Sequence, residues 1–380
     1  AVDGLTRTSA PAPGAGAEGP RADPRARAEG PRAAPAPGRV LLAWSPGGLP
    51  KGTEAELERV AGVVRVTTVV GGLDWLSSSR TPDGAPVDAP RAGYAIPLEV
   101  ALVEPHEYAR FMPAAERDLV LGLEAGEALL ARTEAELRGA GEGLVLALRD
   151  RELHAAGVVS DVATNGYELL GAGPVPPSWT RADRFVLVQV RDPSRRAAVR
   201  RRLDELLEPG RVLRVRNQRE TPYLRYGDAV QPQLILKRNF GEFAARPLPD
   251  GRVAIDPSWV ERNIRRARVP LLGAIVCHRA LFPQLRQALR EVVAAGLGYL
   301  IARDQYAGCY NPRFIDRQPG GRLSHHTWGI ALDINYLDNA FGTKPDQDRR
   351  LVNRMEAWGF TWGGRWIVPD GMHFEWNRWP

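Results

Sequence analysis

Ser324-His325-His326-Thr327-Trp328-Gly329-Ile330-Ala331-Leu332-Asp333, followed near the C-terminus by Asp370-Gly371-Met372-His373-Phe374-Glu375-Trp376, gathers histidines and carboxylates as no other part of the chain does. Four of the six histidines lie after residue 277. Two histidines and one carboxylate make a three-ligand site with an open position, the arrangement a catalytic zinc requires. His326 and Asp333 stand seven positions apart. That is about 23 Å along a strand and about 10 Å along a helix, so neither lets both side chains reach one ion. The chain must therefore turn between them, and Gly329 is the residue that tolerates such a turn. Beyond it, residues 330–335 run as a strand presenting Asp333 toward the metal.

The spacing serine, one residue, histidine, two residues, glycine, one residue, alanine, one residue, aspartate is met by Ser324, His326, Gly329, Ala331 and Asp333. An acid three residues before the last histidine is met by Asp370 and His373. Over residues 234–380 this pattern resembles the zinc D-alanyl-D-alanine carboxypeptidase and L-alanyl-D-glutamate endopeptidase family. Phe360-Thr361-Trp362-Gly363-Gly364-Arg365-Trp366 is similar to its endopeptidase branch. The resemblance implies that His326, Asp333 and His373 bind one Zn2+ and that Asp370 is the general base that takes a proton from the attacking water. It also implies an arginine upstream that faces the developing oxyanion, Arg313 in Tyr310-Asn311-Pro312-Arg313, with Arg303 as the competitor. Ser324 is implied to hydrogen-bond substrate. The substrate implied is the stem peptide of peptidoglycan, cut at the L-alanyl-D-glutamate bond or at the terminal D-alanine, with the tryptophan-glycine run leaning toward the former.

Other readings of these residues are weaker. His325 lies beside a ligand, but the spacing selects His326. His278 follows Cys277, yet has no partner at ligand spacing for a metal or a thiol catalyst. Glu375 suits a role behind the metal, orienting His373. Of Trp358, Trp362, Trp366, Trp376 and Trp379, Trp366 is the preferred groove residue, and core packing explains the others as well. A structural zinc would ask for four ligands and more cysteine. A non-catalytic cell-wall-binding module retaining the fold is the alternative function, and Asp370 beside a full ligand set argues against it.

Outward from this segment the chain is of ordinary globular composition, 44% hydrophobic and 25% charged over 380 residues. That length favours more than one folded unit. The expected class is α+β in two domains. Residues 231–380 form the peptidase domain, a small antiparallel sheet flanked by helices. Residues 39–230 form a layered α+β domain, and residues 1–38, mostly alanine, proline, glycine and arginine, form a disordered linker before it. Residues 40–44 read as a buried strand, and a helix capped by Thr53 and a strand over 63–70 follow. Strand, helix and strand recur over 184–190, 194–207 and 211–215. Between these units come a strand over 98–103, a helix ending near Met112, a long helix over 125–137 and strands near 144–148. This element order resembles the extracytoplasmic domains of the macrolide-exporter and cell-division type of bacterial permease. Periodicity fails over 222–232, where the second boundary is placed. A fragment starting near Pro232 is expected to fold and cleave by itself.

Lysine and arginine outnumber aspartate and glutamate by 51 to 45, which draws the chain toward polyanions, but no nucleic-acid-reading motif accompanies the charge. No run of about 18 apolar residues offers a membrane span. The start at Ala1-Val2-Asp3 leaves room for a preceding export signal or anchor, and the wall substrate places the protein outside the cytoplasm. The two cysteines, Cys277 and Cys309, are then expected to form a disulfide rather than stay as buried thiols.

Overall fold

Residues 40–44 have no polar face, so as a strand they must be covered on both sides. The computed structural model describes residues 38–229 and 231–379, and in it Val40–Trp44 is buried throughout. It pairs antiparallel with Arg214–Asn217 on one side and Asp183–Val190 on the other. The sheet continues through Val63–Leu76, Ile96–Val103, Leu169–Ala172, Glu127–Ala131, Glu152–Val159, Val145–Ala147, Ser78–Arg80 and Pro86–Asp88. Leu41 and Ala43 pack with Leu57, Val199 and Leu203 from the helices Thr53–Glu58 and Arg196–Leu206. Leu42 and Trp44 point to the opposite face, as a period of two requires, and join Tyr108, Met112 and Val120. Helices and strands are thus mixed as an α+β fold. Both strand–helix–strand units are present, interleaved in one sheet.

Two local expectations are corrected. Thr53 does not cap its helix: Gly52 holds the N-cap position, and the Thr53 hydroxyl donates to the Pro50 carbonyl at 2.7 Å. Residues 125–137 are not one helix but the strand Glu127–Ala131 followed by the helix Arg132–Arg138. Good helix formers there yield to pairing with Glu152–Val159 and Leu169–Ala172, which buries Ala128 to Ala131 completely. The expected linker lies, except for Gly38, outside the described residues. Among those residues no helix is long and apolar enough to cross a membrane.

The C-terminal half begins with the helix Gln233–Phe240 and carries the hairpin Ile264–Val269 with Gly273–His278, the helix Leu281–Ala294 and the helix Arg349–Ala357. Its second sheet runs Tyr306–Gly308, Ala331–Ile334, His373–Trp376, Phe360–Trp362, all antiparallel. The apolar cluster inside this half also takes in Leu73 and Trp75 from the large sheet. Lys237, fully buried, has its ammonium 2.9 Å from Glu168 and 3.0 Å from Glu242. Arg138 pairs with Glu134, Asp88 and Glu242. Buried charges persist only when paired in this way. The irregular stretch between the halves is pinned as well. Arg216 donates to the carbonyls of Arg225 and Gly227 at 2.8 and 2.7 Å, and Arg322 donates to that of Tyr226 at 3.3 Å.

Candidate active site

The second sheet sets the spacing of the site. Asp333 and His373 are direct cross-strand partners, so two residues distant in sequence stand side by side on one face. His326 enters from the short turn His325–Thr327, where the Ser324 hydroxyl accepts from the His326 amide at 3.4 Å. The reversal falls at Gly329, which has φ +69°, donates its amide to His326 O and accepts from the His278 amide at 2.9 Å. A β-carbon there would meet the His278 nitrogen at 2.8 Å. The expected turn and strand are therefore both present, the strand as Ala331–Ile334.

These elements bring three donor atoms into a near-equilateral triangle. His326 Nε2 is 3.1 Å from Asp333 Oδ1 and 3.2 Å from His373 Nδ1, and His373 Nδ1 is 3.0 Å from Asp333 Oδ1. Tetrahedral zinc with ligands at about 2.0 Å separates them by roughly 3.3 Å, close to these edges. The outer nitrogens support the same reading. His326 Nδ1 donates to the Cys309 carbonyl at 2.9 Å, and His373 Nε2 lies 3.4 Å from Glu375 Oε2. With its proton held on the outer side, His326 Nε2 turns a lone pair toward the Asp333 carboxylate, an arrangement that a cation resolves. Among the described residues this is the group able to hold a metal ion.

The electrostatics follow from burial against pairing. Burial pushes the His326 imidazolium pKa down despite Asp333. Burial also opposes charge on His373, but hydrogen bonds to Asp333 and Glu375 outweigh it and push His373 up to about 10. Asp333 and Glu375, although buried, are held well below the carboxylate range, Asp333 by His326 and His373, Glu375 by His325 and His373. His325 Nδ1 lies 2.8 Å from Glu375 Oε2. His325 therefore lies on the carboxylate that faces His373, lines the adjoining cavity with it, and is not in the donor triangle.

A cavity of about 440 Å³ opens beside the triangle and is lined by Arg313, Ser324, Trp366, Asp370 and His373. Asp370 begins the turn that delivers His373, with its amide bonded to the Gly363 carbonyl at 3.0 Å and its carbonyl accepting from the His373 amide at 3.2 Å. Gly363 has to be small. A β-carbon there would lie 2.8 Å from the Asp370 carbonyl oxygen and 3.2 Å from the His373 β-carbon. Asp370 Oδ1 is buried and has no hydrogen-bond partner among the described residues. Burial, with Asp333 nearby, pushes this carboxyl up to about 6, although His373 and Arg313 pull it down. Arg313 donates to Ser324 Oγ at 3.4 Å and has Nη2 4.0 Å from Asp333 Oδ2. Trp366 stacks obliquely on His373 with ring centroids 5.0 Å apart.

Residues outside the motif sort as follows. Arg303 is exposed and does not line the cavity. Cys277 is bonded to Cys309 with Cα atoms 5.4 Å apart, which removes thiol chemistry there. His278 is buried against Phe240 and Trp259, and burial pushes it down to about 4. Trp376 lies in the apolar core, and Trp358, Trp362 and Trp379 pack against it. Sequence reasoning missed the opposite wall of the cavity, which includes Trp44, Pro46, Glu99, Tyr226 and Asp228. No motif marks these residues, because only tertiary packing brings them to the cavity.

Residues 317–376 match a family model described as D-alanyl-D-alanine carboxypeptidase, a segment that contains the donor triangle and Asp370. No curated protein matches the chain. Among solved structures the chain is similar to the periplasmic region of MacB from Actinobacillus actinomycetemcomitans, at 13% identity and a TM-score of 0.32 over 48% of this chain and 90% of that one. It is similar too to the extracellular domain of the noncanonic ABC-type transporter YknZ from Gram-positive bacteria, at 13% identity and a TM-score of 0.29 over 47% of this chain and 100% of that one. Likeness at that level carries no functional argument. The family match supports a peptidase of the D-alanyl-D-alanine carboxypeptidase kind at the C-terminal end of the chain.

Proposed function

We propose that the C-terminal half is a zinc-dependent peptidase that hydrolyses peptide bonds in the stem peptides of peptidoglycan, at the L-alanyl-D-glutamate bond or the terminal D-alanine. The observation that carries this reading is the meeting of His326, Asp333 and His373 at ligand spacing, with Asp370 lining the cavity that His373 also lines and all four inside the matched segment. His326, Asp333 and His373 would hold the ion through Nε2, Oδ1 and Nδ1. Bound zinc supplies positive charge that polarises the scissile carbonyl and makes water acidic enough to attack near neutral pH.

The remaining work falls to side chains. Asp370 takes one proton from the attacking water as its oxygen bonds to the carbonyl carbon. It then gives that proton to the leaving nitrogen as the C–N bond breaks, so the carboxylate is restored at the end of each cycle. Arg313 turns its guanidinium toward the charge that develops on the carbonyl oxygen. The Ser324 hydroxyl, already accepting from Arg313, keeps its own proton to donate to substrate. Trp366 forms an apolar wall for the peptide. Such a substrate puts the protein outside the cytoplasm, where the Cys277–Cys309 bond persists. Residues 39–230 would serve to position the enzyme on the wall. Incubating the full chain with purified peptidoglycan, with and without a chelator, and weighing the released fragments by mass spectrometry tests the reading. Chelator-sensitive release is expected, and the fragment masses identify the bond. Binding without release would favour a wall-binding module instead.

A further inference from the structure

The loop that carries Trp366 and Asp370 is held from the other half of the molecule. The Ile367 amide donates to Asp228 Oδ2 at 2.6 Å. Asp228 in turn faces Arg214, whose Nε lies 3.1 Å from Oδ1 and whose Nη2 donates to the carbonyl of Arg365 at 3.3 Å. Arg214 belongs to the strand Arg214–Asn217 of the large sheet and is the direct cross-strand partner of Trp44. Trp44 packs on Tyr226 with ring centroids 4.5 Å apart. One residue on the sheet, Arg214, and one in the connecting stretch, Asp228, thus grip the backbone on either side of Trp366. Asp228, Trp366, Ile367 and Asp370 all line the one cavity.

Neither Asp228 nor Arg214 lies in the segment 317–376 that carries the family match. We propose that Asp228 is a positioning residue for the active-site loop, its carboxylate fixing the Ile367 amide and thereby the stations of Trp366 and Asp370. The inference rests on the peptidase reading for its catalytic consequence, though not for the clamp itself. A hydrogen bond from a backbone amide to a carboxylate is of the strong, charge-assisted kind. Three residues further along, Asp370 has to meet the attacking water within hydrogen-bond reach, where a displacement of about 1 Å costs on the order of 100-fold in rate. The N-terminal half is then part of the catalytic apparatus through Asp228 and Arg214, whatever else it binds.

The test uses the full, zinc-loaded chain with Asp228→Ala, Asp228→Asn, Arg214→Gln and, as a remote control, the exposed Asp204→Ala. The substrate is peptidoglycan made soluble by muramidase digestion. Asp228→Ala is expected to lower kcat by roughly 10- to 100-fold with KM within about 3-fold and zinc still near one per chain. Asp228→Asn, whose amide oxygen still accepts from Ile367, should recover most of the loss. Arg214→Gln should fall between wild type and Asp228→Ala. Hydrogen exchange over residues 364–370 supplies a readout that needs no turnover, and it should speed up by about 10-fold or more in Asp228→Ala and stay unchanged in Asp204→Ala. Unchanged exchange in Asp228→Ala would overturn the clamp. A raised KM with normal kcat would make Asp228 a substrate-binding residue and overturn the positioning role. If Asp228→Ala does not fold, Asp228→Asn and Arg214→Gln decide by the same two readouts. An inactive wild-type chain would sink the peptidase reading alone, because exchange still reports on the clamp.

Discussion

Asp370 and His373 lie three residues apart and differ in what burial does to them. Asp370 has a buried oxygen without a hydrogen-bond partner among the described residues and a pKa pushed up to about 6. A general base works only when ionised, so kcat/KM should rise as pH rises through that value, and a cation in the triangle moves the limb to pH 6 or somewhat below. Asp370→Ala should retain about one zinc per chain while turnover falls by roughly 100- to 10,000-fold. Metal analysis alongside kinetics checks this, and loss of zinc would make Asp370 a ligand instead. His373, raised to about 10 by Asp333 and Glu375 against its burial, carries a proton at neutral pH in the metal-free chain. An ion that takes Nδ1 must displace that proton. Zinc affinity should therefore climb by about tenfold per pH unit from pH 6 to 9. Calorimetry in buffers of different ionisation enthalpy should count about one proton released. A pH-independent affinity would contradict this account.

Among the elements, the strand pair Ala331–Ile334 and His373–Trp376 matters most, because its register alone aligns Asp333 with His373. The same strand puts Glu375 two residues beyond His373, on the same face and within reach of its outer nitrogen. The segment Tyr306–Gly308 lies at the edge of this sheet, and the disulfide fixes the residue that follows it. That residue, Cys309, supplies the carbonyl that holds the His326 proton outward. Replacing both cysteines with serine should cost roughly 3–4 kcal/mol of stability for a closed loop of this length, read as a lower midpoint in denaturant. Zinc affinity should weaken in parallel. An unchanged midpoint would show that the bond constrains nothing the fold does not already hold. The misread segment 125–137 belongs at this scale too. Its Glu, Ala and Leu residues favour a helix locally, but Leu129 and Leu130 gain more by complete burial between two strands.

Taken whole, the molecule has an apolar cluster and an ionic network that both run across its two halves. The fragment beginning near Pro232, which sequence reasoning expects to fold and cleave alone, would lose Leu73 and Trp75 from its core, Glu168 from Lys237 and Asp228 from Ile367. Such a fragment should unfold without a sharp thermal transition by circular dichroism and cleave poorly. A cooperative, active fragment would show that the halves are independent. The sequence by itself pointed to His326, Asp333 and His373 through the motif spacing that carries the family resemblance, and a short, turned segment sets His326 near Asp333 locally. It determined the turn at Gly329 and the buried strand at 40–44 for equally local reasons, a positive φ and an unbroken apolar run. Tertiary structure alone decided that Asp333 stands opposite His373, that Trp44 and Asp228 wall the cavity, and that 127–131 is a strand. These are contacts between residues far apart in the chain, and their free energy comes from burial and pairing that no local pattern records.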